Sequence, residues 1–348
     1  MINTNTYSSL CDVRDVIIVA EMSANHGQKI EVAIDTIRAA KRAGADAVKF
    51  QTYTADTLTL NCNHSDFIIN NGSLWDGRGY YALYQEAYTP WEWHEELYKI
   101  AREEGLIVFS TPFDRSAVDF LETLDNPIYK IASFEITDIP LIEYAASKMK
   151  PMVISTGIAE IEDIELAVDA CRRVGNNDIT LLKCTSSYPA PIEEANLCMI
   201  KDMAERFGVK TGLSDHTIGS MAPIIAVAQG AVMIEKHFII DRSIGGPDAD
   251  FSMDEKEFTQ MVQDIRMAKA ARGEVSYDLT EKQKAGRCFA RSLYVAKDIK
   301  KGEIITEENV RSVRPGYGLH PKYFKYCLGK KVNRDLQCGD RFSLNFID

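Results

Sequence analysis

The sequence lacks several patterns that mark common classes of protein. Its eight cysteines include no Cys-x-x-Cys pair and do not cluster, which argues against a structural zinc site and against a disulfide framework. The most apolar stretch, residues 221–234, is too short to span a bilayer, and residues 1–15 show no basic region followed by an apolar run. We therefore expect a cytoplasmic protein that is neither secreted nor inserted into a membrane.

Basic residues are in the minority. The chain has 40 Lys and Arg against 51 Asp and Glu, and its net charge of −11 argues against a nucleic-acid-binding surface over the whole molecule. The charge is unevenly spread, because residues 285–348 carry a formal charge of +6 and residues 1–284 carry −17. A basic segment of this kind can dock on an acidic body or hold an anionic ligand.

Eight short runs rich in Val and Ile alternate with segments of helical periodicity, which is the pattern of repeated βα units. The predicted strands are residues 16–21, 47–51, 106–112, 128–134, 151–157, 179–186, 209–215 and 232–238. Eight such units over about 250 residues predict a (β/α)8, or TIM, barrel. A doubly wound open sheet is the alternative, but no G-x-G-x-x-G or G-x-x-x-x-G-K-[ST] loop follows any predicted strand.

The repeating pattern stops near residue 271. We expect the barrel to span residues 1–271, a linker to span 272–286, and a small β-rich domain with a Lys-Gly turn to span 287–348. Within the barrel, the second βα connection is unusually long, which is typical of a functional or mobile segment. Its aromatic residues either pack a lid onto the barrel rim or contact a ligand; they are Trp75, Tyr80, Tyr81, Tyr84 and Tyr88.

Polar residues concentrate where the eight predicted strands end, which is the face where barrels of this kind carry their active sites. They are Glu21, Lys49, Gln51, Ser110, Thr111, Lys130, Ser133, Glu135, Ser155, Thr156, Lys183, Thr185, Ser186, Ser214, Asp215, His216, Glu235, Lys236 and His237. Burying so many polar groups is costly unless they pair with one another or hold a ligand.

Two histidines follow neighbouring strands of the predicted barrel. His216 and His237, with Asp215 and Glu235 beside them, can share one divalent metal ion whose other positions are filled by water. Each histidine taken alone is more often a simple hydrogen-bonding residue. Elsewhere, the acidic run at residues 248–257 lacks the glycine and the spacing of a calcium-binding EF-hand loop.

Two lysines among hydroxyl groups predict an anion site. Lys49 and Lys130 can hold a phosphate and a carboxylate together. The structural alternative is that the two lysines form ion pairs with Glu21 and Glu135. The two interpretations are compatible, because the carboxylates can balance the lysines in the empty site and serve as acid and base once a ligand binds. A Schiff-base role for Lys49, Lys130 or Lys183 is the mechanistic rival.

Ten motifs in order resemble the nonulosonic (sialic) acid synthase family over nearly the whole chain. They are IVAEMSANHG, GADAVKFQTY, STPFD, YKIASFEI, ISTGIA, LKCTSSYPAP, GLSDHTIG, IEKHF, GGPDADFSM and RSLYVAKDIKKGEIITEENVRSVRPG. The last segment resembles the antifreeze-like (SAF) domain that follows the barrel in this family. The non-enzymatic alternative is that the protein is a sugar-binding or ice-binding module because of this C-terminal segment. That hypothesis is weaker, because it does not explain the polar residues at the strand ends.

The resemblance implies condensation of phosphoenolpyruvate with an open-chain N-acetylated amino sugar, which forms a nine-carbon α-keto acid and releases phosphate. A divalent metal, Mn²⁺ with Mg²⁺ and Co²⁺ as alternatives, polarises the sugar aldehyde in similar enzymes. His216 and His237 match the metal ligands. The residues that match the phosphoenolpyruvate site are Lys49, Thr111, Lys130, Ser133, Ser155, Ser186 and Ser214.

The resemblance also implies roles for the remaining site residues. Glu21 is expected to be the general acid/base for water addition, and Glu135 is expected to handle a sugar hydroxyl or the aldehyde. Tyr188 and Asp248 match residues that meet the sugar. Arg314 matches an arginine that reaches the site from the small domain of a partner subunit, which implies a domain-swapped homodimer.

The motifs EMSANH and KCTSSYPAPIEEANL are most similar to the pseudaminic acid branch of the family. Its sugar substrate is 2,4-diacetamido-2,4,6-trideoxy-L-altrose, so the pocket must offer apolar cover in place of a hydroxyl contact and accept a second N-acetyl group. Some sialic acid synthases have Asn where this chain has Ser186, and Ile-Gly where it has Met22-Ser23. The legionaminic and N-acetylneuraminic branches share the mechanism and remain alternatives, and a Schiff-base pyruvate aldolase is the rival enzyme class.

Overall fold

The structure is a computed structural model that describes residues 15–70, 72 and 75–348. The expectations for residues 1–14, including Cys11, lie outside the described residues. The chain divides into two compact units, Met1–Gly273 and Glu274–Asp348. Within the described part of the chain, no helix is both long enough and apolar enough to cross a membrane.

Eight parallel strands of the first unit close into a barrel in the order of the sequence, and β1 pairs with both β2 and β8. This confirms the predicted (β/α)8 fold. The strands are β1 Ile17–Glu21, β2 Ala47–Thr52, β3 Ile107–Pro112, β4 Tyr129–Ile131, β5 Met152–Ser155, β6 Ile179–Cys184, β7 Lys210–Asp215 and β8 Met233–His237.

The fourth strand is shorter than predicted. Its regular pairing ends at Ile131, and a 3-10 turn, Ser133–Glu135, replaces the predicted continuation. Gly157 N donates a hydrogen bond to Ser133 Oγ at 3.1 Å, and Glu135 N donates to the Ala132 carbonyl oxygen at 3.2 Å. The apolar run misled the prediction because these bonds turn the backbone away from the sheet immediately after the strand.

Helices cover the outside of the barrel. They are α1 Ile30–Arg42, α2 Ala55–Leu58, α3 Tyr80–Ala87, α4 His94–Glu103, α5 Arg115–Thr123, α6 Ile139–Ala146, α7 Ile161–Arg173, α8 Met199–Phe207, α9 Met221–Ala228 and α10 Glu255–Arg272. Gly44 and Gly175, which follow α1 and α7, both have a φ of +90°, a conformation that glycine adopts freely at the end of a helix. The long second connection contains α2, α3 and a 3-10 turn, Ser65–Phe67.

Side chains alternate along each strand between the barrel axis and the surrounding helices. The apolar side chains toward the axis form their own cluster: Ile17, Val19, Ala47, Phe109, Ile128, Val153, Leu182 and Met233. A larger cluster, which includes Ile18 and Val48, packs the strands against the helices. In β1, β2, β4 and β8, the residue two positions after the last residue of this axial cluster is charged. The barrel interior therefore changes from apolar to polar at its carboxyl end.

The second unit has little regular structure around a small core. It contains α11 Glu281–Gly286, α12 Phe324–Cys327, and the antiparallel strands β9 Ser292–Val295 and β10 Val310–Val313. Thr280 and Gln283 form a capping box that starts α11 inside the segment predicted to be a linker. The core residues are Leu293, Val295, Ile299, Ile305, Val310, Cys327, Val332, Leu336 and Phe342.

Gly212 lies where β7 packs closely against both neighbouring strands, which predicts a large effect of one added methyl group. A Cβ at this position would lie 2.4 Å from the Met233 carbonyl oxygen and 2.7 Å from Leu182 Cδ2. Gly212→Ala should lower the free energy of unfolding by about 1–3 kcal/mol, measured by urea titration. Gly79→Ala is the control, because a Cβ there meets only an ordinary contact at 3.8 Å. Equal stability of Gly212→Ala and wild type would contradict the close packing of β6, β7 and β8.

Candidate active site

Two lysines and two glutamates, all buried, meet at the carboxyl ends of β1, β2, β4 and β8. Lys49 Nζ lies 2.8 Å from Glu21 Oε2 and 3.7 Å from Glu235 Oε1. Lys130 Nζ lies 3.6 Å from the same Glu235 oxygen. We call these four residues the charge quartet; its two positive and two negative charges neutralise one another.

Burial and pairing act in opposite directions on the quartet. Burial raises the pKa of the Glu21 carboxyl, and the Lys49 ammonium only partly offsets this. Burial lowers the pKa of Lys130 more than Glu235 raises it, and Lys49 adds to the lowering. For Lys49, Glu21 and Glu235 together outweigh burial and raise the pKa. Lys49 is therefore a fixed cation, whereas Glu21 accepts a proton more readily than an exposed glutamate, which suits a general acid/base.

Two hydroxyl groups bind the quartet directly. Lys49 Nζ donates a hydrogen bond to Thr111 Oγ1 at 3.1 Å, and Ser214 Oγ donates to Glu235 Oε1 at 3.1 Å. Gln51 Nε2 donates to Glu21 Oε1 at 2.9 Å. These contacts fix the direction of each charged group.

A second set of hydroxyl groups lies beyond the ends of β4, β5 and β6. A Cβ on Gly157 would lie 2.1 Å from Ser186 Oγ and 2.8 Å from Ser133 Oγ, so the glycine leaves room for both hydroxyls. Ser155 Oγ is buried and has no hydrogen-bond partner within the described residues. With the two lysines, these donors have the chemistry of a site for a phosphate and a carboxylate.

The two predicted metal ligands, His216 and His237, lie side by side. Their ring centroids are 5.2 Å apart. His216 Nδ1 lies 3.0 Å from the Thr185 carbonyl oxygen, which can only accept, so Nδ1 carries the hydrogen and Nε2 keeps a free lone pair. His237 Nδ1 is buried without a hydrogen-bond partner among the described residues, and Asp248 Oδ2 is 3.8 Å away.

This donor set fits a divalent metal ion in an open site. Within the described residues, no group of three or more His, Cys, Asp and Glu side chains has metal-binding geometry. The protein therefore offers two imidazole nitrogens, and a metal bound here would take its remaining ligands from water or substrate, as in catalytic rather than structural sites.

An aromatic wall stands beside the histidines. The Tyr188 ring centroid is 4.4 Å from that of His216, and the Phe251 centroid is 5.0 Å from that of His237. The Trp75 ring, from the long second connection, lies 5.7 Å from Tyr188. Trp75 therefore reaches the site, as expected if this connection contacts a ligand. Tyr84 instead packs on Tyr53, with the two ring centroids 5.8 Å apart.

The structure divides the polar residues that the sequence grouped at the strand ends. Lys236 Nζ lies 2.5 Å from Asp215 Oδ2 and also donates to the Thr217 carbonyl oxygen, so this pair holds the loop after β7 and does not join the histidines. Ser110 Oγ bonds to Thr52 Oγ1 at 2.7 Å in the network that contains His94. These residues pair with one another outside the site, because alternate positions on a strand face opposite sides.

Lys183, one of the Schiff-base candidates, is engaged by its own loop. Its Nζ donates to the Cys184 carbonyl oxygen at 2.6 Å and to Thr185 Oγ1 at 3.4 Å. Burial lowers the pKa of Lys183. Its ammonium is outside the charge quartet.

Sequence reasoning placed Glu235 beside the histidines and not with the lysines, and it named no role for Cys184 or Phe251. Glu235 belongs to the charge quartet, Cys184 Sγ lies 3.7 Å from His216 Nδ1, and Phe251 contacts His237. The signal for Glu235 was present, because it precedes His237 by two positions and therefore faces the same side of β8. Phe251 follows a loop, where no such periodicity applies.

Arg314 lies in the second unit, just after β10, and is exposed there. Ser292 Oγ donates to the Pro315 carbonyl oxygen at 2.7 Å and accepts from Gly318 N at 2.8 Å. A Cβ on Gly318 would lie 2.3 Å from the Leu293 carbonyl oxygen. The turn that carries Arg314 is therefore fixed within its unit and presents the guanidinium to its surroundings.

Glu135 provides a pH test of the site. Burial raises the pKa of its carboxyl from 4.5 to about 7, and its Oε2 atom is buried without a hydrogen-bond partner among the described residues. The unfolded chain therefore ionises first as pH rises, so this group lowers stability between pH 4.5 and pH 7. Relative to wild type, Glu135→Gln should gain up to about 3 kcal/mol over this range, measured by urea unfolding at each pH. A pH-independent difference would contradict the burial of Glu135.

Comparison with known proteins places this geometry in a family. The sequence matches the NeuB family over residues 36–277 and the SAF domain over residues 290–341. It is 50% identical to the pseudaminic acid synthase of Campylobacter jejuni over 327 residues, which cover 94% of this chain and 95% of that protein. It is also 50% identical to the pseudaminic acid synthase of Helicobacter pylori over 332 residues, 95% of this chain and 97% of that protein.

A solved structure agrees with this assignment. The spore coat polysaccharide biosynthesis protein SpsE of Bacillus subtilis is 34% identical and superposes with a TM-score of 0.65, covering 96% of this chain and 95% of that chain. The resemblance expected from the ten motifs is thus confirmed over nearly the full length. The chain belongs to the NeuB family and carries a C-terminal SAF domain.

Proposed function

We propose that this protein is a pseudaminic acid synthase. It condenses phosphoenolpyruvate with 2,4-diacetamido-2,4,6-trideoxy-L-altrose to give pseudaminic acid and phosphate. The observation that carries the proposal is the pair of adjacent chemistries at one barrel mouth, a lysine- and hydroxyl-lined anion site and a pair of histidines under an aromatic wall. The 50% identity to two pseudaminic acid synthases supports the choice of sugar.

The charge quartet and its hydroxyl groups bind phosphoenolpyruvate in this proposal. Its phosphate and carboxylate take the place of Glu21 and Glu235 as partners of the lysines. Noncovalent binding suits Lys49, whose raised pKa keeps it protonated and therefore unable to form a Schiff base. The surrounding donors then complete the anion site: Thr111, Ser133, Ser155, Ser186 and Ser214.

Glu21 and Glu135 move protons during the reaction. Carbon 3 of phosphoenolpyruvate forms the new bond to the aldehyde carbon, and the aldehyde oxygen takes a proton to become a hydroxyl. Glu21 removes one proton from the water that adds to carbon 2. The bond from carbon 2 to the phosphate oxygen then breaks, and the carbon 2 hydroxyl passes its proton to the departing phosphate, which leaves the keto group. The raised pKa of Glu135 lets it hold a proton near the sugar hydroxyl or aldehyde at neutral pH.

His216 and His237 would hold a divalent metal ion, for which we propose Mn²⁺, with Mg²⁺ or Co²⁺ as alternatives. When bound, the ion supplies Lewis-acid polarisation of the sugar carbonyl. The hydrogen bond at His216 Nδ1, which leaves the Nε2 lone pair free, and the position of His237 beside this ring support the assignment.

The aromatic wall supports a 6-deoxy sugar. Trp75, Tyr188 and Phe251 offer apolar ring surface on the histidine side of the mouth, against which the methyl group of a 6-deoxy sugar can pack. Asp248 adds a buried carboxylate that can accept from a sugar hydroxyl or amide. The legionaminic and N-acetylneuraminic precursors, which differ in configuration or in the terminal hydroxyl, are the alternative substrates.

Phosphate release tests both the reaction and the sugar. With Mn²⁺ and phosphoenolpyruvate, the pseudaminic precursor should give release with a kcat/KM at least tenfold above that of the legionaminic precursor or N-acetylmannosamine. Preference for either of the other sugars would keep the mechanism and change the substrate. No release with any sugar, together with borohydride trapping of pyruvate on a lysine, would support the aldolase instead.

We also propose a cytoplasmic homodimer in which the small domain of one subunit completes the barrel site of its partner. Five exposed apolar side chains follow the carboxyl ends of β4, β5, β6 and β7, which supports an interface at the barrel mouth; they are Phe134, Ile158, Ile192, Ile218 and Met221. The fixed turn offers Arg314 to an acetamido oxygen or a hydroxyl group of the sugar at such a site. The cysteines among the described residues are all free, as in a reducing compartment.

Mixed dimers test the contribution of Arg314. Arg314→Ala and His216→Ala should each lose most activity alone, but their co-expressed hybrid should recover one working site of two, about half of wild-type turnover. The recovery follows because the intact arginine of one chain meets the intact histidine of the other. A His216→Ala and His237→Ala hybrid is the control and should stay inactive, since both ligands come from one barrel. An inactive Arg314 hybrid would contradict the swapped arrangement.

A further inference from the structure

The segment after β1 makes a set of buried contacts that the proposed chemistry does not use. Asn25 is fully buried, and its Nδ2 donates to the Phe238 carbonyl oxygen at 2.9 Å and to Ser252 Oγ at 2.8 Å. Ser252 Oγ in turn donates to the Asp248 carbonyl oxygen at 2.6 Å. One side chain thus joins the residue after His237 to the turn that carries Asp248.

The two residues before Asn25 bind the same turn. The Ser23 hydroxyl and the Ala24 backbone N–H lie close enough to the Asp248 carboxylate to lower its pKa, against the rise that burial causes. Ser23 has a φ of 48°, which few residues other than glycine adopt. A strained backbone that persists beside a functional group is over-determined by its surroundings. Here the surroundings are the contacts to Asp248 and Ser252.

These contacts converge on one predicted metal ligand. His237 Nδ1 has no hydrogen-bond partner among the described residues, and Asp248 Oδ2 lies 3.8 Å from it, within range of an ionic contact but too far for a hydrogen bond. Met253 N donates to the His237 carbonyl oxygen at 2.9 Å, so the backbone of the ligand is fixed from the same side. At His216 the corresponding nitrogen, Nδ1, has a hydrogen-bond partner, the Thr185 carbonyl oxygen at 3.0 Å.

We propose that residues 23–25 are a positioning segment that holds Asp248 against His237 Nδ1 and thereby sets the affinity of the site for its divalent metal. The inference rests on the proposed metal-dependent function. The physical reason is that a carboxylate or carbonyl at one nitrogen of an imidazole fixes the tautomer and the ring orientation, and makes the other nitrogen a better ligand. Asn25 acts through Asp248 and touches neither metal nor substrate.

Mn²⁺ affinity of the full-length protein tests the proposal. Free Mn²⁺ is measured by its electron paramagnetic resonance signal as the protein is added, without substrates. Asn25→Ala should weaken Mn²⁺ binding at least tenfold, within the range typical of lost outer-shell contacts. Ser252→Ala should act in the same direction, and excess Mn²⁺ should restore most of the turnover of both variants.

Asn176→Ala is the matched control. Asn176 is also buried, and its Nδ2 likewise donates two hydrogen bonds, here to the backbone carbonyl oxygens of Ala146 at 3.1 Å and Lys150 at 2.8 Å, ahead of β6 at the other end of the barrel. It should lose stability as Asn25→Ala does, but keep wild-type Mn²⁺ affinity. If Asn25→Ala does not fold, Ser252→Ala decides the question.

The outcomes separate the inference from the proposed function. Folded Asn25→Ala and Ser252→Ala proteins that bind Mn²⁺ as tightly as wild type would overturn the positioning role and leave the function intact. A comparable loss of affinity in Asn176→Ala would also overturn it, because the effect would then follow from stability alone. Wild-type protein that binds no Mn²⁺ would overturn the metal site itself, and the inference with it.

Discussion

The neutralisation of Lys49 and Lys130 by Glu21 and Glu235 is the constraint on which the rest of the site depends. A buried charge without a partner is strongly destabilising, so the lysines can lie inside the barrel only because two carboxylates reach them. The four charges cancel in the empty protein. When an anion enters, it competes with the two carboxylates for the two lysines. An anionic substrate then frees a carboxylate for proton transfer, so one set of charges serves both stability and chemistry.

The fold was largely predictable because its physical signals are local and repeated. A parallel strand inside a barrel is apolar on both faces, and each one is followed by an amphipathic helix, so eight repeats define the architecture. The prediction was less accurate where a single hydrogen bond ends an element. Ser133 receives the Gly157 N–H and ends β4 early, and Thr280 starts a helix where a linker was expected. The pattern of apolar residues in the sequence contains no information about such hydrogen bonds.

The site was predictable to the level of the strand that contributes each residue. His216 and His237 adjoin because β7 and β8 are neighbours, and Lys49 meets Glu21 because β2 pairs with β1. Successive side chains of a strand face opposite sides, which separates Glu235 from Lys236. This rule could have been applied to the polar residues at the strand ends from the sequence alone, but it was not. Trp75 and Phe251 come from connections whose path no periodicity specifies, so their place in the wall required the structure.

The most direct test of the account is the affinity of Glu235→Gln for phosphoenolpyruvate, measured by calorimetry without metal and paired with urea unfolding. If the lysines serve the anion and the glutamates merely balance them, removing one carboxylate should destabilise the empty protein and, at the same time, bind phosphoenolpyruvate several-fold more tightly. The exposed substitution Glu205→Gln should change neither quantity. Destabilisation with unchanged or weaker phosphoenolpyruvate binding would contradict the account, because the lysines would then belong to the fold and not to the substrate.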